Sequence, residues 1–230
     1  MIRAFTQLLK RLLPLLAISS ISQRGLAQGN EIGSWLIYFG NNKISKTFNW
    51  HNEVQLRSYD LIGDTEALLL RTGLGYTPSE SNFNFLAGYA YISSQRYTNE
   101  SKTQSNEHRP FQQIIDRQES GRLQLLHRYR LEERIVEQDF RLRFRYLLLL
   151  NFPINSRTIT DKTIYAAASN EFMLNADAPV FDQDRLYGGI GYCFKKSLRL
   201  ELGYLQQFFE DSNNGQIVIT LLNSLSFEKP

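Results

Sequence analysis

A single cysteine, Cys193, serves the whole chain of 230 residues. No disulfide can form within it, and an exported form must be stable without one. Histidine is nearly as scarce. His51, His108 and His127 are the only three, too dispersed to be read as a metal site. No G-x-S-x-G is present, so the usual nucleophile elbow is excluded. Beyond residue 27, the longest uncharged apolar run is Tyr146–Phe152, far short of the roughly 20 residues that a membrane-spanning helix needs.

A charge of one sign is also lacking. The chain carries 26 Lys and Arg against 23 Asp and Glu, but the basic excess sits at the start. Arg3, Lys10 and Arg11 precede an apolar run from Leu12 to Ile21, and small residues (Gly25, Ala27) follow. That is the pattern of a secretory signal over residues 1–27, with an apolar run about half the length of a membrane anchor. No cysteine lies near the cleavage site, which excludes a lipoprotein. Setting this segment aside removes four basic residues (Arg24 is the fourth) and no acid, leaving 22 basic against 23 acidic. The remaining domain, 28–230, has no electrostatic case for binding nucleic acid.

What the chain does have is alternation. In HRYRLEER (127–134), Arg128, Arg130, Glu132 and Arg134 share one side at period two, while His127, Tyr129 and Leu131 share the other. At a helical period the same charges scatter around the axis. Arg141, Arg143 and Arg145 oppose Leu142, Phe144, Tyr146, Leu148 and Leu150 in the next run. Similar runs occupy 48–59, 65–76, 82–93, 111–119, 162–174, 184–194, 197–209 and 215–227. Turn-forming residues such as Ser120-Gly121 and Lys195-Lys196 separate neighbours, so the prediction is all-β, antiparallel and up-and-down. Long polar connections are expected at 94–108, 175–184 and 210–215.

Alternation does not say which face is wet. Arg and Lys are segregated: beyond residue 27 every Lys falls in a turn, a loop or a terminus, and most Arg fall inside strands. A water-facing strand uses Lys freely, whereas a crowded inner wall favours the rigid Arg fork. Aromatic residues gather toward run ends, as interfacial belts do. Runs of 10–13 residues suit a tilted membrane crossing. The expectation is a transmembrane β-barrel of about 10–12 strands in the outer membrane, with lipid and the barrel-assembly machinery as partners. Ten strands are counted from Phe48, and Trp35–Phe39 is an eleventh apolar run. The inner wall should carry Glu53, Arg57, Arg71, Arg128, Arg130, Glu132, Arg134, Arg141, Arg143, Arg145, Glu171, Arg185, Arg199 and Glu201. Arg outnumbers Glu on that wall. Further acceptors must come from Tyr, Gln, backbone groups, water or an anionic ligand.

HRYRLEER (127–134), RLRFRY (141–146), DRLYGGIGYCF (184–194) and LRLELGYLQQ (198–207) resemble the outer-membrane β-barrel family known only as a domain of unknown function. GSWLIYFGNNKIS (33–45), EVQLRSYD (53–60), NEHRPFQQ (106–113) and SNEFMLN (169–175) look like other parts of the same family. The resemblance implies location and architecture and carries over no catalytic residue. The chain departs from a usual barrel-assembly signal by continuing Glu228-Lys229-Pro230 after Phe227.

Chemistry is thinly signalled. His108, near Glu107, Ser101 and Ser105 in the expected outer loop, is the one place for a Ser–His lipid hydrolase or acyltransferase. GGIG (188–191) lies within a strand and is no dinucleotide loop. Asp60, Asp64 and Glu66 read better as a solvated turn than as a cation site. No cofactor is implied. The main expectation is a non-enzymatic barrel, structural or a narrow anion-favouring passage. The lipid enzyme is one alternative, and a soluble periplasmic barrel around an apolar ligand is another.

Overall fold

The computed structural model describes residues 32–98 and 101–227; the expected export signal, 1–27, lies outside them. Eleven strands are present among the described residues: β1 Gly33–Lys43, β2 Phe48–Ser58, β3 Thr65–Tyr76, β4 Phe83–Thr98, β5 Ser101–Ser120, β6 Leu123–Val136, β7 Asp139–Pro153, β8 Thr163–Asn175, β9 Phe181–Lys195, β10 Leu198–Phe208 and β11 Asn213–Asn223. Each pairs with its sequence neighbour in antiparallel fashion, and β1 meets β11 to close a barrel. The eleventh apolar run is therefore the closing strand. With an odd count the first and last strands run the same way. Closure is parallel, in register from Gly33↔Gln216 to Gly40↔Asn223.

Strands form because the two faces of each ribbon meet different surroundings. On β3, Leu68, Leu70 and Leu74 are exposed on the outer wall, while Ala67, Leu69 and Arg71 are buried within. A slip of one residue would send Arg71 outward and leucines into the charged lumen, so the register is strongly fixed. Most outward side chains are large and apolar. Most buried polar groups, including Glu53, Arg130, Glu132 and Glu171, are inside.

One long expected loop is sheet instead. Residues 94–108 continue the β4–β5 hairpin, paired from Ser94↔Ser105 out to Thr98↔Ser101. Beyond the neighbouring strands this hairpin projects with water on both sides, so its polar, serine-rich composition imitates a loop. Asp64, in the β2–β3 connection, anchors it by accepting hydrogen bonds from Tyr97 and Lys102, which hold the Asp64 carboxyl below its usual value. The other long connections are shorter than expected, at 176–180 and 209–212.

Glycines on the inner wall make room for neighbouring rings. Tyr165 lies across Gly191, its cross-strand partner, and its hydroxyl donates to Glu201 Oε1 on the next strand at 2.7 Å. A Cβ on Gly191 would sit 2.2 Å from the Tyr165 ring, whereas one on Gly188 would meet nothing. Gly191→Val should displace Tyr165 and cost roughly 1–3 kcal/mol, seen as a lower urea midpoint. Gly188→Val should stay within about 0.5 kcal/mol of the parent. Equal effects would refute this role for the ring.

Candidate functional site

The inward faces of β2, β3 and β5 to β9 converge on a buried ionic network. Its centre is Glu132 on β6, whose side chain is 0% exposed. Oε1 accepts from Arg145 Nη1 at 2.7 Å, and Oε2 accepts from Arg143 Nη2 at 2.7 Å and Nε at 3.0 Å. Arg109 and Arg130 approach the same carboxylate at 3.5 Å. Arg145 continues to Glu171, with Nη2 2.7 Å from Oε2 and Nε 3.0 Å from Oε1. Glu171 also accepts from Arg128 at 2.5 Å, and Arg185 lies 3.7 Å away.

Two smaller clusters flank this centre. Arg134 holds Glu107 with both arms of its fork, at 2.7 and 3.0 Å, and Arg109 adds a bond of 2.8 Å. Glu53 accepts from Arg71 Nη1 at 2.5 Å and from the Gln55 amide, with His51 Nε2 at 3.4 Å. Bidentate, charge-assisted bonds of this kind are the strong ones, and here water barely competes.

The surplus of arginine is absorbed by amides and aromatic faces. Gln113 Oε1 accepts from Arg130 Nε and Nη2 at 2.9 and 2.6 Å. Gln55 Oε1 accepts from Arg57, and Gln183 Oε1 from Arg185. Phe111 lies beneath both Arg130 and Arg71, 4.7 and 5.5 Å from its centroid. Trp35 is flanked by Arg57 at 4.0 Å and Arg185 at 4.9 Å. Such stacking suits guanidinium, which is planar and weakly hydrated, better than ammonium. The sequence points to glutamine as an acceptor but not to the aromatic faces.

The family profile described as "Protein of unknown function (DUF2490)" matches residues 32–218. The chain belongs to this family. No curated protein and no solved structure matches it. The matched span runs from the residue before β1 into β11, so every member of the network lies inside the family domain.

Of the residues expected on the inner wall, Glu53, Arg57, Arg71, Arg128, Arg130, Glu132, Arg134, Arg143, Arg145, Glu171 and Arg185 are joined in these clusters. Glu201 is buried against Tyr165. Arg199 lies on the inner face over the Tyr165 ring, 5.8 Å from its centroid. Arg141 departs from the expectation. It sits near the mouth with its side chain 60% exposed, 3.7 Å from Asp139, because β7 begins only two residues earlier and rises clear of the network there.

Glu107, Arg109 and Asp182 were not anticipated. The first two follow a plain alternation, Glu107-Arg109-Phe111-Gln113, that the loop-like composition of 94–108 obscured. Asp182 carries no such signal. The β8–β9 register passes from Met173↔Gln183 to Leu174↔Phe181, so Asp182 is the extra residue of a β-bulge. Bulges re-aim side chains, and this one delivers the carboxylate to Arg143 Nη1 at 2.7 Å.

The Ser–His site of the alternative reading does not assemble. His108 is on β5 facing outward, and its Nδ1 shares a hydrogen bond with the Tyr89 hydroxyl. Ser101 and Ser105 lie further along the projecting hairpin and make no bond to it. His127 faces outward as well, 2.9 Å from the Tyr146 hydroxyl. No group of three or more metal-ligating side chains occurs among the described residues.

Glu132→Gln should destabilise the barrel by about 3–5 kcal/mol, the cost of leaving buried cations without their counter-charge. Glu201→Gln, whose bonded partner is a neutral hydroxyl, should cost about 1 kcal/mol. Urea unfolding of the two variants measures the difference. Equal costs would show that Glu132 is not the hub.

Proposed function

We propose that the protein is an outer-membrane β-barrel whose lumen is sealed by the Arg/Glu network, a non-enzymatic structural or binding element of the envelope and not an open passage. The observation that carries the closed reading is the burial at mid-lumen: Arg130 and Glu132 are 1% and 0% exposed inside the barrel. A channel wide enough for hydrated ions would wet these groups. At mid-lumen Arg130, Arg143 and Arg145 are held by bonds to Gln113, Glu132, Glu171 and Asp182, which leaves none of these three free to pass an anion along.

Membrane residence is supported by the polarity of the wall. Leu70, Leu74, Leu131, Phe144 and Leu202 are exposed on the outside, where a soluble barrel would place polar groups. Phe48, Tyr76, Phe83, Phe152 and Phe194 mark the rim with the Ser120–Leu123 turn, and Phe140 and Phe208 lie near the other, as interfacial girdles do. The soluble barrel with an apolar centre is disfavoured by the same distribution, because the centre is ionic. Lipid and the barrel-assembly machinery are the partners this reading requires.

Reconstituted into planar bilayers, the protein should give no conductance steps, and it should leave membrane fractions only with detergent. A steady anion-selective conductance in the unmodified protein would overturn the sealed reading in favour of the narrow passage. Release by salt or carbonate washing would overturn residence in the membrane.

A further inference from the structure

The run Tyr146–Phe152 on β7 is apolar on its outer face and, apart from Asn151 near its end, on its inner face too. Tyr146, Leu148, Leu150 and Phe152 face outward, as the wall requires. Leu147 and Leu149 face inward, following Arg143 and Arg145 on the same side of the strand. Neighbouring strands make the same switch. Arg128 gives way to Leu126 on β6, Gln113 to Ile115 on β5, and Thr220 to Leu222 on β11. Toward the rim with the Ser120–Leu123 turn, the lumen thus passes from the ionic network to a layer of leucine and isoleucine, with Arg117, Gln124 and Asn151 beyond it.

These side chains line an open cavity of about 480 Å³, within the roughly 300–1,000 Å³ range of ligand pockets. Leu126, Leu147, Leu149 and Leu222 are only half-buried there. Leucines facing an open lumen are unfavourable unless something apolar covers them. The cavity wall also carries Arg128, Arg130, Arg199 and His51, with Arg199 directly across from Leu222. Arg128 Nε is buried without a hydrogen-bond partner, while His51 Nε2 faces Glu53 at 3.4 Å. Arg199 is in no salt bridge among the described residues and lies over the Tyr165 ring, with Glu201 two residues along the same face. Glu119 and Glu201 are the acids on the cavity wall, so positive charge is in excess.

We propose that this vestibule binds an anionic amphiphile, with its acyl chain along Leu126, Leu147 and Leu149 and its carboxylate or phosphate directed to Arg199 and Arg128. An anion there supplies the acceptor that Arg199 lacks and meets the Nε edge of Arg128, whose Nη2 is already held by Glu171. A purely apolar ligand would leave the cationic end unpaired, and a free inorganic anion would leave the leucines wet. The inference rests on the sealed-lumen reading and deepens it, since the network that holds Arg128 and Arg130 also lines the cavity.

The test uses the full protein in phosphatidylcholine nanodiscs, with dansylaminoundecanoate as the fluorescent probe and empty discs as background. Decanoate or decyl phosphate should displace the probe at concentrations at least tenfold lower than decanol or decyltrimethylammonium, and which anion is stronger identifies the headgroup. Affinity should fall roughly fourfold for each methylene removed from the chain. Arg199→Gln should weaken decanoate about tenfold and leave decanol unchanged, whereas Leu149→Asn should weaken both. Displacement by decyltrimethylammonium at the same concentration as decanoate, or an Arg199→Gln variant with unchanged decanoate affinity, would overturn the proposal. If Leu149→Asn fails to fold, the chain-length series on the unmodified protein tests the apolar wall in its place. Conductance is measured separately: a silent barrel that ignores decanoate defeats only this inference, and a conducting barrel that binds it defeats only the sealed reading.

Discussion

One carboxylate, Glu132, neutralises arginines from both sides of its own strand, and the lumen is organised around that arrangement. Isolated burial of Arg143 or Arg145 would cost several kcal/mol. Sharing Glu132, with Glu171 and Asp182 as outer partners, gives each guanidinium two anionic contacts in a fixed geometry. The consequence reaches the backbone. Strands β6, β7, β8 and β9 are tied at the register that brings these groups together, and a shift of one residue would move every charge of the shifted strand into the outer wall. The network therefore specifies register as well as filling space.

Its composition follows from packing. Lysine could supply the charge, but not a planar group that bonds a carboxylate in-plane while an aromatic ring covers its face. Arg130 uses both capacities, bonding Gln113 at its edge and stacking on Phe111. A lumen with more arginines than acids can close because rings and amides take up what carboxylates do not. Where they run out, at Arg199 and one edge of Arg128, the cavity begins. The ionic floor and the apolar vestibule are two ends of the same imbalance.

Much of this was legible in the sequence because period two is a strong constraint when one face must avoid charge. The opposition of Arg128, Arg130 and Glu132 to Tyr129 and Leu131 reports both strand and face without further information. The same logic fails where that constraint is absent. On the projecting hairpin both faces meet water, so Ser94 to Ser105 carry no alternating signal and read as a loop; extending that loop to His108 hid the alternation that begins at Glu107 and continues through Arg109. At Asp182 the bulge breaks the period itself, and face parity gives the wrong side. Arg141 fails for a different reason, since parity fixes a face but not a height. Pairing of Arg with Trp35 and Phe111 has no signal within any one strand, because each contact joins different strands: Arg57 faces Trp35 across the β1–β2 ladder, and Arg185 reaches the same ring from β9.

Closure of the barrel is where these threads meet. An odd strand count forces a parallel β1–β11 seam, whose slanted hydrogen bonds are somewhat weaker per residue than antiparallel ones. The inner face of that seam is held by Trp35 of β1, which packs on Val218 of β11 and Leu205 of β10. Arg57 of β2 and Arg185 of β9 then flank the same indole. One guanidinium comes from each side of the seam, and Arg185 faces Glu171 in the central network. The ionic core therefore extends across the weakest ladder through an aromatic ring. A seam reinforced in this way has no need of the twelfth strand that would make every pair antiparallel.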